Sequence, residues 1–292
     1  MFESIKERRF GIAFAVAAFA LVAAIGLTAC SGGSASDAGS ASADGLQTVT
    51  PDTLTVATGN PAYPPYVMND DPASGEGFEA AITYAVAEKM GFSKDQVVWV
   101  RTGFDEAITP GAKDWDMHIQ QFGVTEDRKQ AVDFSSPYFM PTQAVIVDTA
   151  KGHDKFANAT SCADLADAVL GAEAGSTSYT WGMEKINSNI QVFNSNADAA
   201  NALNTHQIDG IIVDTPTAVY MADPEMEELT SAKIVGQIPD SAADPLAFLL
   251  PKGSSLTPAV TAAIDELEAD GTLQKLTDQW MAEYTTDVPV LK

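Results

Sequence analysis

The chain is predicted to fold as an α/β protein of two lobes. Short apolar runs alternate with segments of helical periodicity, the pattern of strand–helix–strand units. The alternation falls into two series joined near residues 138–143. The 247 residues beyond residue 45 suit one large domain or two medium ones, and an apolar content of 46% is ample for a core.

In the first series, residues 54–57 (Leu-Thr-Val-Ala) read as a short buried strand. Phe78, Ala81, Ile82, Ala85, Val86 and Met90 then recur at helical spacing, implying an amphipathic helix that ends near Gly91. Residues 97–100 read as a strand, 104–108 as a short helix stopped at Pro110-Gly111, and 117–122 as a strand. Thr125 opens a charged helix, and a strand at 143–147 begins the second series. There, strands at 190–193, 211–213 and 234–238 are interleaved with helices at 177–186, 197–203 and 215–221. A last strand at 246–250 and helices at 258–269 and 272–284 are assigned to the first lobe. Strands separated by helices argue for βαβ units and parallel sheets.

The N-terminus carries separate information. Lys6, Arg8 and Arg9 precede an apolar run over 10–26, which closes on Leu27-Thr28-Ala29-Cys30. A basic segment, an apolar core and small residues before a cleavage point describe a secretory signal over residues 1–29. Left uncleaved, the 17-residue run reaches only the lower edge of a membrane-spanning length. Either way the rest of the chain lies outside the cytoplasm. Residues 31–45 contain only Ser, Gly, Ala and Asp and cannot bury enough surface to order themselves, so a flexible tether is expected over about 30–50.

The formal charge is −24, and residues 1–29 contribute +1, so the remainder carries about −25. Such a surface repels nucleic acid, which is excluded as a partner. Cys30 and Cys162 are the two cysteines. With Cys30 spoken for, no intrachain disulfide is expected, and Cys162 reads as an inert thiol. His118, His153 and His206 lack metal-ligand spacing, so neither metal nor cofactor is expected. Gly75-Glu76-Gly77-Phe78-Glu79-Ala80 fits a dinucleotide fingerprint but lacks the strand that must precede it.

Leu27-Thr28-Ala29-Cys30 resembles the lipobox of bacterial lipoproteins, in which the cysteine thiol takes a diacylglycerol. Two acyl chains give stable attachment where one gives marginal binding. Across the folded part, Tyr63-Pro64-Pro65-Tyr66, Gly77-Phe78-Glu79 and Phe104-Asp105-Glu106-Ala107-Ile108 occur in order. They are followed by Gly123-Val124-Thr125-Glu126-Asp127-Arg128 with Val132-Asp133-Phe134-Ser135-Ser136-Pro137-Tyr138, then by Gly175-Ser176-Thr177. Ile208-Asp209-Gly210-Ile211-Ile212-Val213-Asp214 and Asp270-Gly271-Thr272-Leu273 with Trp280 complete the set. In that order they resemble the bacterial extracellular solute-binding proteins of family 3. The resemblance implies a two-lobed, periplasmic-binding-protein-like fold of type II with a two-strand hinge, each lobe a mixed or mostly parallel sheet flanked by helices. Lobe 1 would comprise residues 53–140 and 247–292, and lobe 2 residues 143–242. It also implies a monomer, anchored outside the cytoplasm, that captures a polar or neutral amino acid for an ABC importer and is not an enzyme. A periplasmic dehydratase on the same fold and a ligand-sensing module are the alternatives.

The chemistry of a free amino acid assigns roles to the matching residues. Arg128 offers a planar cationic fork to the carboxylate; otherwise it is a surface ion pair. Asp214 offers an anion to the ammonium, or serves only to cap the helix opened by Thr215-Pro216. Thr177 offers a backbone N–H at a helix start, and Gly123 a backbone contact from the facing wall. The resemblance places Asn60, Tyr63 and Phe104 around the ligand's side chain, although both aromatics also fit a core. Gln120 and Gln121 stand where the family has small residues, so a bulky polar group is expected in the pocket. Asn60 stands where members that take cationic amino acids often carry an acid, which disfavours a basic ligand. Glu79 replaces the family's aspartate and is expected to be structural.

Overall fold

The computed structural model describes residues 45–292 except 227, 243, 286 and 287. Cys30, the signal segment and the tether up to residue 44 lie outside the described residues. Ordered contacts begin earlier than the expected tether boundary at 50. Leu46 packs on the first core, and the Val49 N–H donates to Asp116 Oδ1 over 2.7 Å.

Among the described residues, two five-stranded sheets form the framework. The first contains β1 (Leu54–Thr58), β2 (Val97–Arg101), β3 (Met117–His118), β4 (Val132–Phe139) and β10 (Leu246–Pro251), in the order β2-β1-β3-β10-β4. β1 runs parallel to β2 and β3, whereas β10 is antiparallel to both β3 and β4. Side chains alternate across this sheet as strand geometry requires. Leu54, Val56, Phe248 and Leu250 face α1 (Phe78–Lys89) and α7 (Thr257–Ala269); Ala57 and Leu249 face α2 (Phe104–Ile108) with Trp115 and Phe122.

The second sheet contains β5 (Gln143–Asp148), β6 (Leu170–Glu173), β7 (Ile190–Phe193), β8 (Gly210–Asp214) and β9 (Ala232–Gln237), in the order β7-β6-β8-β5-β9. β6 is parallel to β7 and β8, and β5 is antiparallel to β8 and β9. Ala144, Ile146, Ile211 and Val213 bury one face against α5 (Asn196–Asn204) and α6 (Thr215–Met221). Val145, Val147 and Ile212 bury the other with Trp181 and Ile186, at and just beyond α4 (Thr177–Lys185). Each sheet thus has two parallel and two antiparallel pairings, and the antiparallel ones involve the strands next to the passages between lobes.

The chain passes between the sheets after β4 and again after β9, then sends α7 and α8 (Thr272–Trp280) to pack on α1. The expected boundary kept residues 247–292 with the first lobe throughout. The last residues depart from it. Val290 pairs with Gln237, Leu291 packs among Val145, Ile212 and Val235, and Lys292 exchanges backbone bonds with Thr160 and Cys162. Apolar Leu291 finds its buried site on the second sheet, where Gly236 leaves room for it.

Candidate ligand-binding cleft

The lobes meet along a closed cleft. Its interior cavity has about 40 Å³ of free space. The first lobe lines it with Thr58, Asn60, Tyr63, Phe104, Gln120 and Gln121, the second with Glu173, Asn194, Ser195 and Asn196. A larger depression of about 630 Å³, beside Thr102, Glu106 and Lys113, is a surface hollow of the first lobe alone. The cleft is the better candidate, because both lobes contribute polar groups to it.

Arg128 begins α3 (Arg128–Ala131), is 8% exposed, and lies with its guanidinium 5.2 Å from the Phe104 ring centroid. Its Nη1 donates to the Gly123 carbonyl and its Nη2 to the Gly175 carbonyl, each over 2.7 Å. One guanidinium therefore ties the lobes together. Burial lowers its pKa to about 10, opposed by the neighbouring Asp244 carboxylate, so it remains a cation at neutral pH. The surface ion-pair alternative does not describe it; exposed Glu126 pairs with Lys129 instead.

Asp214 ends β8 and caps α6, its Oδ1 accepting from the Thr217 N–H over 3.1 Å and its Oδ2 from the Thr217 hydroxyl over 2.7 Å. It also accepts the Tyr66 hydroxyl of the first lobe over 2.8 Å. Burial raises its pKa, and these hydrogen bonds oppose the rise. Asp214 lies outside the cavity lining, in a second inter-lobe contact. It is both a cap and a lobe-bridging carboxylate.

Gly123 and Thr177 face each other across the cleft. A Cβ at Gly123 would sit 3.1 Å from Thr177 Cγ2 and 3.2 Å from Asp244 Cβ. Thr177 is the first residue of α4, but the cap is Ser176, whose hydroxyl accepts from the Tyr179 N–H. Gly175 adopts φ +71°, and a Cβ there would meet Ile108 of the first lobe at 2.8 Å. Glycine at 123 and 175 lets the two backbones close.

Asn60, Tyr63, Phe104 and Gln121 all line the cavity. Tyr63 reaches toward Tyr220 of the other lobe, ring centroids 6.1 Å apart. Phe104 stacks on Phe122 at 4.6 Å, so it serves the core and the cavity wall together. Gln121 adopts φ +48° and turns back into its own lobe, donating from its backbone N–H (2.8 Å) and Nε2 (2.5 Å) to Glu79. Glu79 also accepts the Tyr138 hydroxyl. It is fully buried, and burial raises its pKa to about 7 against these bonds. His118 lies behind this wall against Trp115 and Phe122, and burial lowers its pKa to about 3.

Glu173, Tyr66 and Gly175 join the residues assigned from the sequence. Glu173 ends β6, 7% exposed, with its pKa raised to about 8 by burial and then by Asp198. The Thr58 hydroxyl, buried on the opposite wall, has no hydrogen-bond partner among the described residues.

Two α/β lobes closed over a polar cavity, latched by a buried guanidinium from one and a buried carboxyl from the other, define a two-lobed receptor for a small solute. The profile of the bacterial extracellular solute-binding proteins, family 3, matches residues 54–283, and the chain belongs to that family. It is 28% identical over 237 residues to the arginine-binding periplasmic protein of Mannheimia haemolytica, covering 80% of this chain and 93% of that one. Among solved structures, an ancestral arginine-binding protein bound to glutamine matches with a TM-score of 0.65 at 28% identity, over 80% of this chain and 99% of that one. Its arginine-bound form matches with a TM-score of 0.64 at 28% identity, over 79% and 98%. The protein is an extracytoplasmic solute-binding protein.

Proposed function

We propose that the protein captures a free α-amino acid with a polar side chain and delivers it to an ABC importer, working as a monomer held to the membrane by lipid on Cys30. The observation that carries this reading is that each lobe contributes one buried ionisable group, the Arg128 guanidinium from the first and the Asp214 carboxyl from the second. A guanidinium has five N–H donors, of which Arg128 gives two to Gly123 and Gly175. The remaining donors suit a carboxylate, together with the Thr177 N–H, which has no intrahelical acceptor at the first position of α4. The ligand's ammonium takes Asp214 in place of, or beside, the Tyr66 hydroxyl. Its side chain enters the cavity between Tyr63 and Phe104, toward Asn60, Asn194 and Glu173.

Glu173 bears on the ligand's chemistry. Asn60 alone argued against a basic side chain, yet the facing lobe supplies an acid to the same cavity. With a pKa near 8, Glu173 is largely protonated at neutral pH and can donate as well as accept. A cationic group beside it would favour its ionised form. Side chains ending in hydrogen-bond donors, neutral or cationic, therefore suit the site. The relatives named for arginine, glutamine and cystine agree with that class.

Small-molecule pockets usually span about 300–1,000 Å³, far above the 40 Å³ enclosed here. Entry therefore requires the lobes to part. We assign lobe 1 to residues 53–140 and 247–285 and lobe 2 to 143–242 with the tail 288–292, with the passages at 140–142 and after β9 as the hinge. A ligand that pairs with both walls binds the closed form better and shifts the population toward it. A permease can then tell loaded from empty receptor by shape.

A thermal-shift screen of the twenty amino acids, followed by calorimetry on the hits, tests the reading. A ligand at 100 times its dissociation constant adds about 2.7 kcal/mol of stability, a large signal. Absence of any hit among polar amino acids would overturn the ligand class.

A second reading rests on Glu173 alone. A protonated carboxylic acid facing a cleft is what a dehydratase needs as general acid. One solved neighbour, at 27% identity and a TM-score of 0.61, is an ancestral amino-acid-binding protein described as a precursor of cyclohexadienyl dehydratase. Product formation from a prephenate-like acid, abolished in Glu173→Gln, would favour this reading.

A further inference from the structure

We propose that the second lobe carries a divalent transition-metal site, built by His153, His206 and Asp148 and separate from the ligand cleft. The three lie 5 and 53 residues apart, a spacing that gives no metal signature in the sequence. The fold removes the separation. Antiparallel pairing of β5 with β8 brings the end of β5 beside the turn after α5, and the Asp148 N–H donates to the Asp209 carbonyl over 2.9 Å. One ligand atom from each of the three residues then lies within 4.8 Å of the others.

The arrangement is more than a chance meeting of surface side chains. The Asp148 carboxylate is 2% exposed and directed at an exposed imidazole. Its Oδ2 lies 2.5 Å from His206 Nδ1, and its Oδ1 accepts the Ala150 N–H. His206 is held at φ +57°, in the left-handed region that side chains other than glycine rarely occupy. The His153 ring stacks on it, with centroids 4.0 Å apart and planes 13° from parallel.

The Asp148–His206 contact decides which atoms bind. Two ligands on one tetrahedral zinc, each about 2.0–2.1 Å from it, stand roughly 3.3 Å apart. Asp148 Oδ2 and His206 Nδ1 are closer than that, so they share a proton rather than an ion. That proton fixes the tautomer and leaves His206 Nε2 as the ligand atom, a carboxylate–histidine–metal relay. His153 supplies the second nitrogen by a rotation that its exposure permits, and water completes the shell. Two imidazoles with a carboxylate behind them select zinc, nickel or copper over calcium and magnesium. β5 has Gln143, opposite Asp214, at one end and Asp148 at the other. At about 3.3 Å per residue the metal site stands roughly 16 Å from the cleft edge. The ion would staple the loop after β5 to the turn after α5.

Equilibrium dialysis of the tag-free, full-length protein against Zn²⁺ tests the site. It is done at physiological ionic strength, with excess Ca²⁺ to occupy the acidic surface. The expected result is one Zn²⁺ per chain that Ca²⁺ does not displace. His153→Ala and His206→Ala should each lower Zn²⁺ affinity at least tenfold, and Zn²⁺ should raise the unfolding temperature of the wild type but of neither variant. Both substitutions are at exposed side chains, so the variants are checked for unchanged circular dichroism. Folded variants that hold Zn²⁺ as tightly as the wild type, or a wild type that holds none above the Ca²⁺-competed background, would overturn the proposal.

Discussion

The Tyr66 hydroxyl donates to the Asp214 carboxylate over 2.8 Å, joining the first lobe to the cap of a helix in the second. The same carboxylate is thus needed for local order in α6 and for lobe apposition. A hydrogen bond to a charged group is worth about 1.5–3 kcal/mol. Tyr66→Phe keeps the ring and the Thr217 bonds while removing this link. The ratio of closed to open unliganded protein should fall about 10- to 150-fold. Small-angle scattering should show a larger radius of gyration; an unchanged scattering curve would count against the latch.

Arg128→Ala should be more damaging than its neighbour. The side chain is buried and bridges two backbone carbonyls across the cleft. Removing one member of a desolvated charge pair costs about 2–5 kcal/mol, which corresponds to roughly 30-fold to several thousand-fold in affinity. Asp214→Ala should fall in the same range. Asp127 is exposed, and Asp127→Ala should leave affinity nearly unchanged. Calorimetry with the best amino acid from the screen separates the three; near-wild-type binding by Arg128→Ala would place the carboxylate elsewhere.

Glu173 makes stability depend on pH with a definite sign. Its pKa rises from 4.5 to about 8 on folding, so the folded state holds a proton that the unfolded chain has released. Between those values the folded state binds more protons, and stability falls as pH rises. The loss begins near pH 4.5 and is complete above about pH 8. Glu79, raised to about 7, contributes with the same sign, so the comparison must be between variants. Glu173→Gln should remove part of the loss, on the order of a few kcal/mol. Chemical denaturation at pH 5 and pH 8 measures it, and parallel pH profiles for the two proteins would refute the assignment. If the ligand ends in a cation, its affinity should increase as pH approaches 8.

Much of this was legible in the residues, and the failures have physical causes. The α1 helix could be read because Phe78, Ile82 and Val86 lie on one buried face at helical spacing. β6 carries no strand signal in the sequence. Leu170-Gly171-Ala172-Glu173 has no β-branched residue, and its glycine leaves the space in which a Cβ would sit 2.7 Å from Ile208 Cδ1 and 2.8 Å from Phe193 Cε2. With the strand went Glu173, whose direction into the cavity depends on it. β4 contains Pro137 and two serines and so shows a motif but no strand pattern, although it pairs along β10. The strand expected over 117–122 shrinks to Met117–His118, because Gln121 leaves the extended region to reach Glu79. Long-range partners of this kind leave no periodic trace in the chain.

The approach of the lobes at Gly123 supplies the most specific test. A methyl group at position 123 would sit 3.1 Å from Thr177 Cγ2 and 3.2 Å from Asp244 Cβ, tighter than ordinary contact at two points. Neither lobe is affected on its own, since these contacts lie across the cleft or at the passage between lobes. Gly123→Ala should therefore leave the unfolding temperature of the unliganded protein nearly unchanged while weakening amino-acid binding, because the ligand's energy must drive closure against the added methyl. Interior overpacking typically costs about 1–3 kcal/mol, which corresponds to roughly 5- to 150-fold in affinity. Thr177→Ser removes the Cγ2 methyl and keeps a hydroxyl at the helix start. Combined with Gly123→Ala, it should restore part of the lost affinity, whereas alone it should change little. Calorimetry on the four proteins gives the coupling directly. Additive effects, with no rescue in the double variant, would mean that residues 123 and 177 do not meet in the ligand-bound state.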